Sequence, residues 1–314
     1  MLYLGYDNGP SDGGGAQLHR IMNLYCICRA FRIQYVHYPI THIGYKGLHH
    51  LENNIEDDDA IEAAFNAFLQ PNEYTLFPTD LPADIREVKV GELSMEHILQ
   101  YAREAKMQNI LLRVGLSRPI IERSPDLYRF APELRPAPAS FTSAAPLSVD
   151  IHVRRGELFV VDSWRMLPNS YYVNIINLIN TILPRFTTNY TINVHTEVPT
   201  KPTVIRPDNH GITNRTTADI TIRPEDSHLE DFNLPNVKLR INEPPTDTLK
   251  AFTQSHLFVM SHSSFSVIGA AMNHGGIILY HPFWHRPAPY WLNTQEPSLP
   301  AQLEAKLRAL FTSE

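Results

Sequence analysis

The stretch best suited to chemistry is Asp150-Ile-His-Val-Arg-Arg-Gly-Glu157. An apolar strand there delivers His152, Arg154 and Arg155 to its carboxyl end. Strand alternation predicts His152 and Arg154 on one face and Arg155 on the other. Two adjacent guanidiniums suit a diphosphate, because each makes paired, charge-assisted hydrogen bonds to phosphate oxygens. Each such bond is worth about 1.5–3 kcal/mol. The competing reading is structural, with salt bridges from the pair to Glu157 and Asp162. An arginine at a buried strand end is costly without an anionic partner, and either reading supplies one.

Three further segments carry reactive or binding side chains. Met260-Ser-His-Ser-Ser-Phe-Ser266 lies between an expected strand and an expected helix. Ser263, Ser264 and Ser266 there offer hydroxyls and free backbone N–H groups to an anion, or serve as ordinary N-caps. Asp12-Gly-Gly-Gly-Ala-Gln17 places Gly14 and Gly15 where backbone can approach a ligand closely. It lacks both the GxGxxG fingerprint and the Lys-Ser/Thr of a phosphate-binding loop, and a plain tight turn fits as well. His281-Pro-Phe-Trp-His285, with Trp291 soon after, reads either as a stacking surface for a sugar or base or as a packing loop. The His-rich 42–53 stretch lacks ligand spacing at the adjacent His49 and His50, so no metal site is expected.

The elements that must position these residues alternate strand and helix. Leu2–Tyr6 reads as a buried strand, and apolar spacing from Ala16 through Leu18, Ile21, Met22, Tyr25 and Cys28 reads as a helix. A strand over 33–38 completes a βαβ unit. Helices are expected over 55–69 and 95–105, and a strand over 110–114. Residues 132–147 hold Pro132, Pro136, Pro138 and Pro146 and are read as a linker. The pattern then restarts, with strands over 148–153, 191–195, 237–241, 257–260 and 276–280. Helices are expected over 170–183, 246–255 (with Thr246 as its cap) and 265–273. An amphipathic helix over 299–311 closes the chain and could return to the first lobe. The expected class is α/β with two Rossmann-like lobes: an acceptor-side lobe over 1–131 and a ligand-binding lobe over 148–314.

Composition bounds the function. The 314 residues carry 27 Lys+Arg against 33 Asp+Glu, for a net charge of −6. That balance argues against a nucleic-acid partner, since phosphate backbones reward a basic surface. Two Cys exclude a disulfide scaffold, and Cys26 and Cys28 read as reduced, buried thiols. The N-terminus lacks a basic start, and Gly5, Asp7 and Gly9 break its apolar run. No stretch approaches the roughly 18 apolar residues of a span. The expectation is a soluble, cytoplasmic protein.

Taken in order, these segments resemble the α1,2-, α1,6- and protein O-fucosyltransferase superfamily. Ile151–Glu157 (IHVRRGE) is similar to the family's HxRRxD motif, Ser263–Ser266 to its SSFSWW segment, and Gly13–Gln17 to its N-terminal Gly-rich segment. The order and spacing agree over roughly residues 1 to 280. Glu157 replaces an Asp, Ala16 an Asn, and Val267-Ile268 a Trp pair.

The resemblance implies a GT-B-like glycosyltransferase fold, a GDP-fucose donor, a glycan acceptor, inversion at the anomeric carbon and no required metal or other cofactor. It implies that Arg154 meets the β-phosphate, that His152 contacts the nucleotide, and that Ser264, Phe265 and Ser266 line the donor pocket. Arg155 is expected to hold the motif together through carboxylates such as Glu157. Inverting transfer benefits from a base. Asp162, at an offset similar to the catalytic carboxylate of α1,6-fucosyltransferases, is the expected base, with Asp12 as its rival. The same fold with another donor, such as UDP-xylose, or a catalytically inactive glycan- or nucleotide-binding protein, remains the alternative.

Overall fold

The computed structural model describes residues 1–8, 12–44, 59–135, 146–156, 158, 163–205 and 219–312. The described chain divides into two α/β units, one within 1–135 and one within 146–312. The division falls inside the Pro-rich stretch. Both ends of that stretch belong to elements, however: Pro132 sits in a 3-10 segment, Pro125–Leu134, and Leu147 already opens a strand.

The first unit is a parallel sheet of β1 (Leu2–Tyr6), β2 (Gln34–Val36), β3 (Thr75–Leu76), β4 (Arg86–Glu92) and β5 (Ile110–Leu116), in the order β3-β2-β1-β5-β4. All five residues of β1 are buried, as a central parallel strand requires. The edge strand β4, REVKVGE, buries only Val90. Its charges suit an edge, and they hide it from a search for apolar runs. Helix α1 (Gly14–Phe31) follows β1 and is buried on most sides. Cys26 and Cys28 are free, buried thiols within it, and burial pushes both pKa values up. Then come α2 (Asp59–Phe68), α3 (Met95–Glu104) and α4 (Arg118–Arg123).

The second unit is a six-stranded parallel sheet of β6 (Leu147–Val153), β7 (Tyr190–Thr196), β10 (Val237–Ile241), β11 (Leu257–Val259), β12 (Ile277–Tyr280) and β13 (Leu292–Asn293). Strands β8 (Thr203–Ile205) and β9 (Ile220–Ile222) form a separate antiparallel pair. The large sheet runs β10-β7-β6-β11-β12-β13. Counting only its own strands, this is the 3-2-1-4-5-6 order of a Rossmann sheet.

Helices α5 (Asn169–Ile182), α6 (Pro245–Gln254), α7 (Ser264–Ala271) and α8 (Leu299–Thr312) complete the unit. Helix α6 starts one residue before Thr246, which is helical rather than a cap; Pro244 and Pro245 preset the entry. Helix α8 buries Leu299, Leu303 and Leu307 in the second unit's own core, beside Tyr172 and Ile179. Its apolar face is therefore spent in that unit's core. Among the described residues, no helix is long and apolar enough to cross a membrane.

Candidate functional site

In a doubly wound sheet, ligands bind outside the carboxyl ends of the strands where the winding reverses. In the second unit that point lies between β6 and β11, which pair directly from Leu257↔Val149 to Val259↔Ile151. The chain leaves β6, which carries His152 at its end, into Arg154–Gly156, and leaves β11 into Met260–Ser263 and the first turn of α7. Two segments picked out by residue type alone, more than a hundred positions apart, therefore meet at the switch point.

The contact is through His152. Its Nδ1 lies 2.6 Å from Ser266 Oγ and 2.9 Å from Ser261 Oγ. The ring clusters with Phe252 and Phe265, with centroids 5.3 and 5.5 Å away. Burial, then the charges of Arg154, His195 and Arg155, hold its pKa well below the ordinary imidazole range, so the ring is neutral. Ser266 is wholly buried. It touches His152 and the Ser261 N–H, at 3.1 Å, so it lies beneath the site and is not part of a pocket wall.

The two arginines diverge. Strand β6 ends at Val153, so strict alternation stops before them. Arg154 is half-buried, with Nη1 3.6 Å from Glu197 Oε2, just past the end of β7. Arg155 is buried. It donates to the Arg154 carbonyl at 2.9 Å and to Asn169 Oδ1, and its guanidinium lies 5.9 Å from the Tyr172 ring centroid. Asn169 in turn donates to Asp231 Oδ2 at 3.0 Å. Gly156, at φ 65°, turns the chain away after the pair, in the left-handed region that favours glycine. Arg155 thus has an architectural place, through an amide. Glu157 and Asp162, the carboxylates expected near it, lie outside the described residues.

Ser263 caps α7, its Oγ accepting from the Phe265 N–H at 3.2 Å. Ser264 Oγ lies 2.9 Å from His285 Nε2, which ties the start of α7 to the loop after β12. Phe283 of that loop stacks on His262, which lies between β11 and α7, at 5.2 Å and 3°. Gln295 donates to His281 Nε2 at 2.9 Å, and His281 Nδ1 lies 2.9 Å from His262 Nε2. Burial, followed by the charges of His281 and Arg165, pushes the His262 pKa down to about 4. Trp164 packs edge-on to Trp284 and is 67% exposed. The neutral His262 imidazole and the indoles suit a base or a sugar ring better than an anion.

In the first unit the Gly-rich segment is tied up by its own neighbours. Asp12 pairs with Arg20 Nη2 at 2.6 Å and accepts from the Gly13 N–H. Gln17 is buried and donates to the carbonyls of Asp12 and His42, so it fastens two loops together. A Cβ on Gly14 would fall 2.7 Å from the Phe65 ring. Packing of α2 already accounts for that glycine. Gly15 is half-buried in the first turn of α1.

Three side chains that sequence reasoning passed over lie beside the site. Asp150 is buried in β6, and its Oδ1 lies 2.8 Å from His195 Nε2 on β7. His195 Nδ1 is 3.2 Å from Glu243 Oε2, off the line of a hydrogen bond. Glu197 faces Arg154. The signal for Asp150 was present: it alternates with His152 on the same strand.

No family model matches the chain, and no curated protein matches it. Solved structures do. The Escherichia coli heptosyltransferase WaaC with ADP aligns over 100% of this chain and 99% of its own, at 12% identity and a TM-score of 0.40. The iron-containing dodecameric glycosyltransferase TibC from enterotoxigenic E. coli covers 99% of this chain and 75% of its own, at 10% and 0.39. A FUT1 variant of Arabidopsis thaliana in complex with GDP covers 92% and 72%, at 9% and 0.39.

Proposed function

We propose that the chain is an inverting, metal-independent glycosyltransferase that takes fucose from GDP-fucose to a glycan hydroxyl. One observation carries the reading. The two segments most similar to fucosyltransferase motifs touch each other, through His152 and Ser266 at 2.6 Å, at the switch point of a Rossmann-ordered sheet. Arg154 and the N-terminus of α7 flank that contact. Departure of GDP builds negative charge on the β-phosphate, and a fixed guanidinium stabilises that charge more in the transition state than in the ground state.

Asp162 is the proposed base and Asp12 its rival. Asp12 would have to part from Arg20 first. The test is thermal stability and sugar-nucleotide hydrolysis across a donor panel. GDP and GDP-fucose are expected to raise the melting temperature, and GDP-fucose alone to turn over. Turnover of UDP-xylose instead would move the donor assignment. Binding with no turnover of any donor would leave an inactive binding protein.

A further inference from the structure

We propose that Ser266 and Ser261 fix His152 as the neutral tautomer with its hydrogen on Nε2, so that the site offers a diphosphate an uncharged N–H donor beside Arg154. The ligand half of this rests on the nucleotide-sugar reading above; the tautomer half does not.

The inference is a hydrogen count. His152 Nδ1, Ser266 Oγ and Ser261 Oγ form a closed triangle with sides of 2.6, 2.9 and 3.1 Å. Both serines are buried, at 0% and 2% exposure. Ser266 Oγ also accepts the Ser261 backbone N–H at 3.1 Å. Each hydroxyl brings one hydrogen, and a buried hydroxyl hydrogen needs an acceptor.

With Nδ1 bare, Ser266 donates to it, and Ser261 donates to Nδ1 or to Ser266. Every hydrogen then has a place. With a hydrogen on Nδ1, three hydrogens compete within the triangle. A protonated Nδ1 accepts nothing, so the two hydroxyls have only the contact between them to share, and one buried hydroxyl is left without an acceptor. That penalty favours the Nε2–H form by on the order of tenfold or more. An imidazolium meets the same conflict and adds a third cation beside Arg154 and Arg155. The Phe252 and Phe265 rings both pack against the imidazole, at 5.3 and 5.5 Å, and limit its rotation. Ser266 and Ser261 are thus positioning residues that act through His152.

The experiment is long-range proton–nitrogen correlation on the full chain labelled with nitrogen-15 histidine, with His152 assigned by the signals lost in His152→Gln. The expected result is a pyrrole-type signal at Nε2 and a bare signal at Nδ1. Ser266→Ala should shift the ring toward a mixture of tautomers. Ser266→Thr, which keeps the hydroxyl, should restore the original pattern, and Ser261→Ala gives a second variant should Thr fail to fit. A hydrogen on Nδ1 in the unmodified protein overturns the proposal. Addition of GDP should move the Nε2 signal. A bound GDP that leaves it unmoved overturns the donor role while the tautomer assignment stands, and absence of GDP binding counts against the nucleotide reading itself.

Discussion

Arg154→Ala and Arg155→Ala remove adjacent guanidiniums and should fail in opposite ways. Arg154 is half-buried and 3.6 Å from Glu197, which is longer than a charge-assisted hydrogen bond. A partly exposed pair of that kind contributes at most about 1 kcal/mol to stability, or roughly 2–4 °C in a domain of this size. Its loss from a diphosphate complex removes about 1.5–3 kcal/mol, a weakening of GDP binding of roughly 10–150-fold. Glu197 would then face the phosphate directly, so Glu197→Gln in the same background should recover part of the affinity.

Arg155 is buried and holds Asn169, which holds Asp231. Its removal leaves the Asn169 carbonyl oxygen without its donor, at about 1–3 kcal/mol. The melting temperature should drop by several degrees, with any loss of affinity following from that. The assay is calorimetric titration with GDP at two ionic strengths alongside thermal unfolding. Arg154→Ala binding GDP within threefold of the parent, or Arg155→Ala melting with it, would refute the division of labour.

Two predictions concern the rest of the chain. Gly14→Val should cost about 1–3 kcal/mol by overpacking against Phe65, with activity per folded molecule retained. Lost activity at unchanged denaturant midpoint would instead give Gly14 a role at a ligand. His262 is neutral when folded, with its pKa pushed down to about 4 from an ordinary 6.5. Between those values the unfolded chain binds a proton that the folded chain refuses. Stability should therefore be fully present above about pH 6.5 and decline as the pH falls toward 4. His262→Phe, which keeps the stack on Phe283, should flatten that decline, and melts across the pH range read it; an equal decline in both proteins would remove His262 as the cause.

The residues of the site were legible where their chemistry was concentrated in one short segment at an element boundary. His152, Arg154, Ser263 and Ser264 stood out because polar and charged groups at the end of an apolar strand have few reasons to be there. What escaped depended on pairing across the fold. Gly14 looked like room for a ligand because Phe65 is distant in sequence and its approach is a tertiary fact. Arg155 was matched to Glu157 and Asp162, which lie outside the described residues, and its tie to Asn169 on the following helix was not foreseen. Ser266 read as a pocket residue until its burial beneath His152 showed otherwise. Among the elements, the central strands announced themselves by apolar runs. Edge strand β4 did not, because a charged edge protects the sheet from further pairing by removing the very signal that marks a strand.

The acidity of the chain, a net charge of −6, fits the local basic site once Glu197 is placed. A lone guanidinium at a strand end would be expensive to bury. Glu197 supplies a carboxylate at 3.6 Å, close enough to offset that cost and too far for a strong bond. A diphosphate carries more charge and can meet the guanidinium in bidentate geometry. Under the proposed reading, the carboxylate beside Arg154 would repel the leaving diphosphate once its bond to the sugar is broken. In that proposed arrangement a negative neighbour would favour turnover by limiting how tightly the product is held.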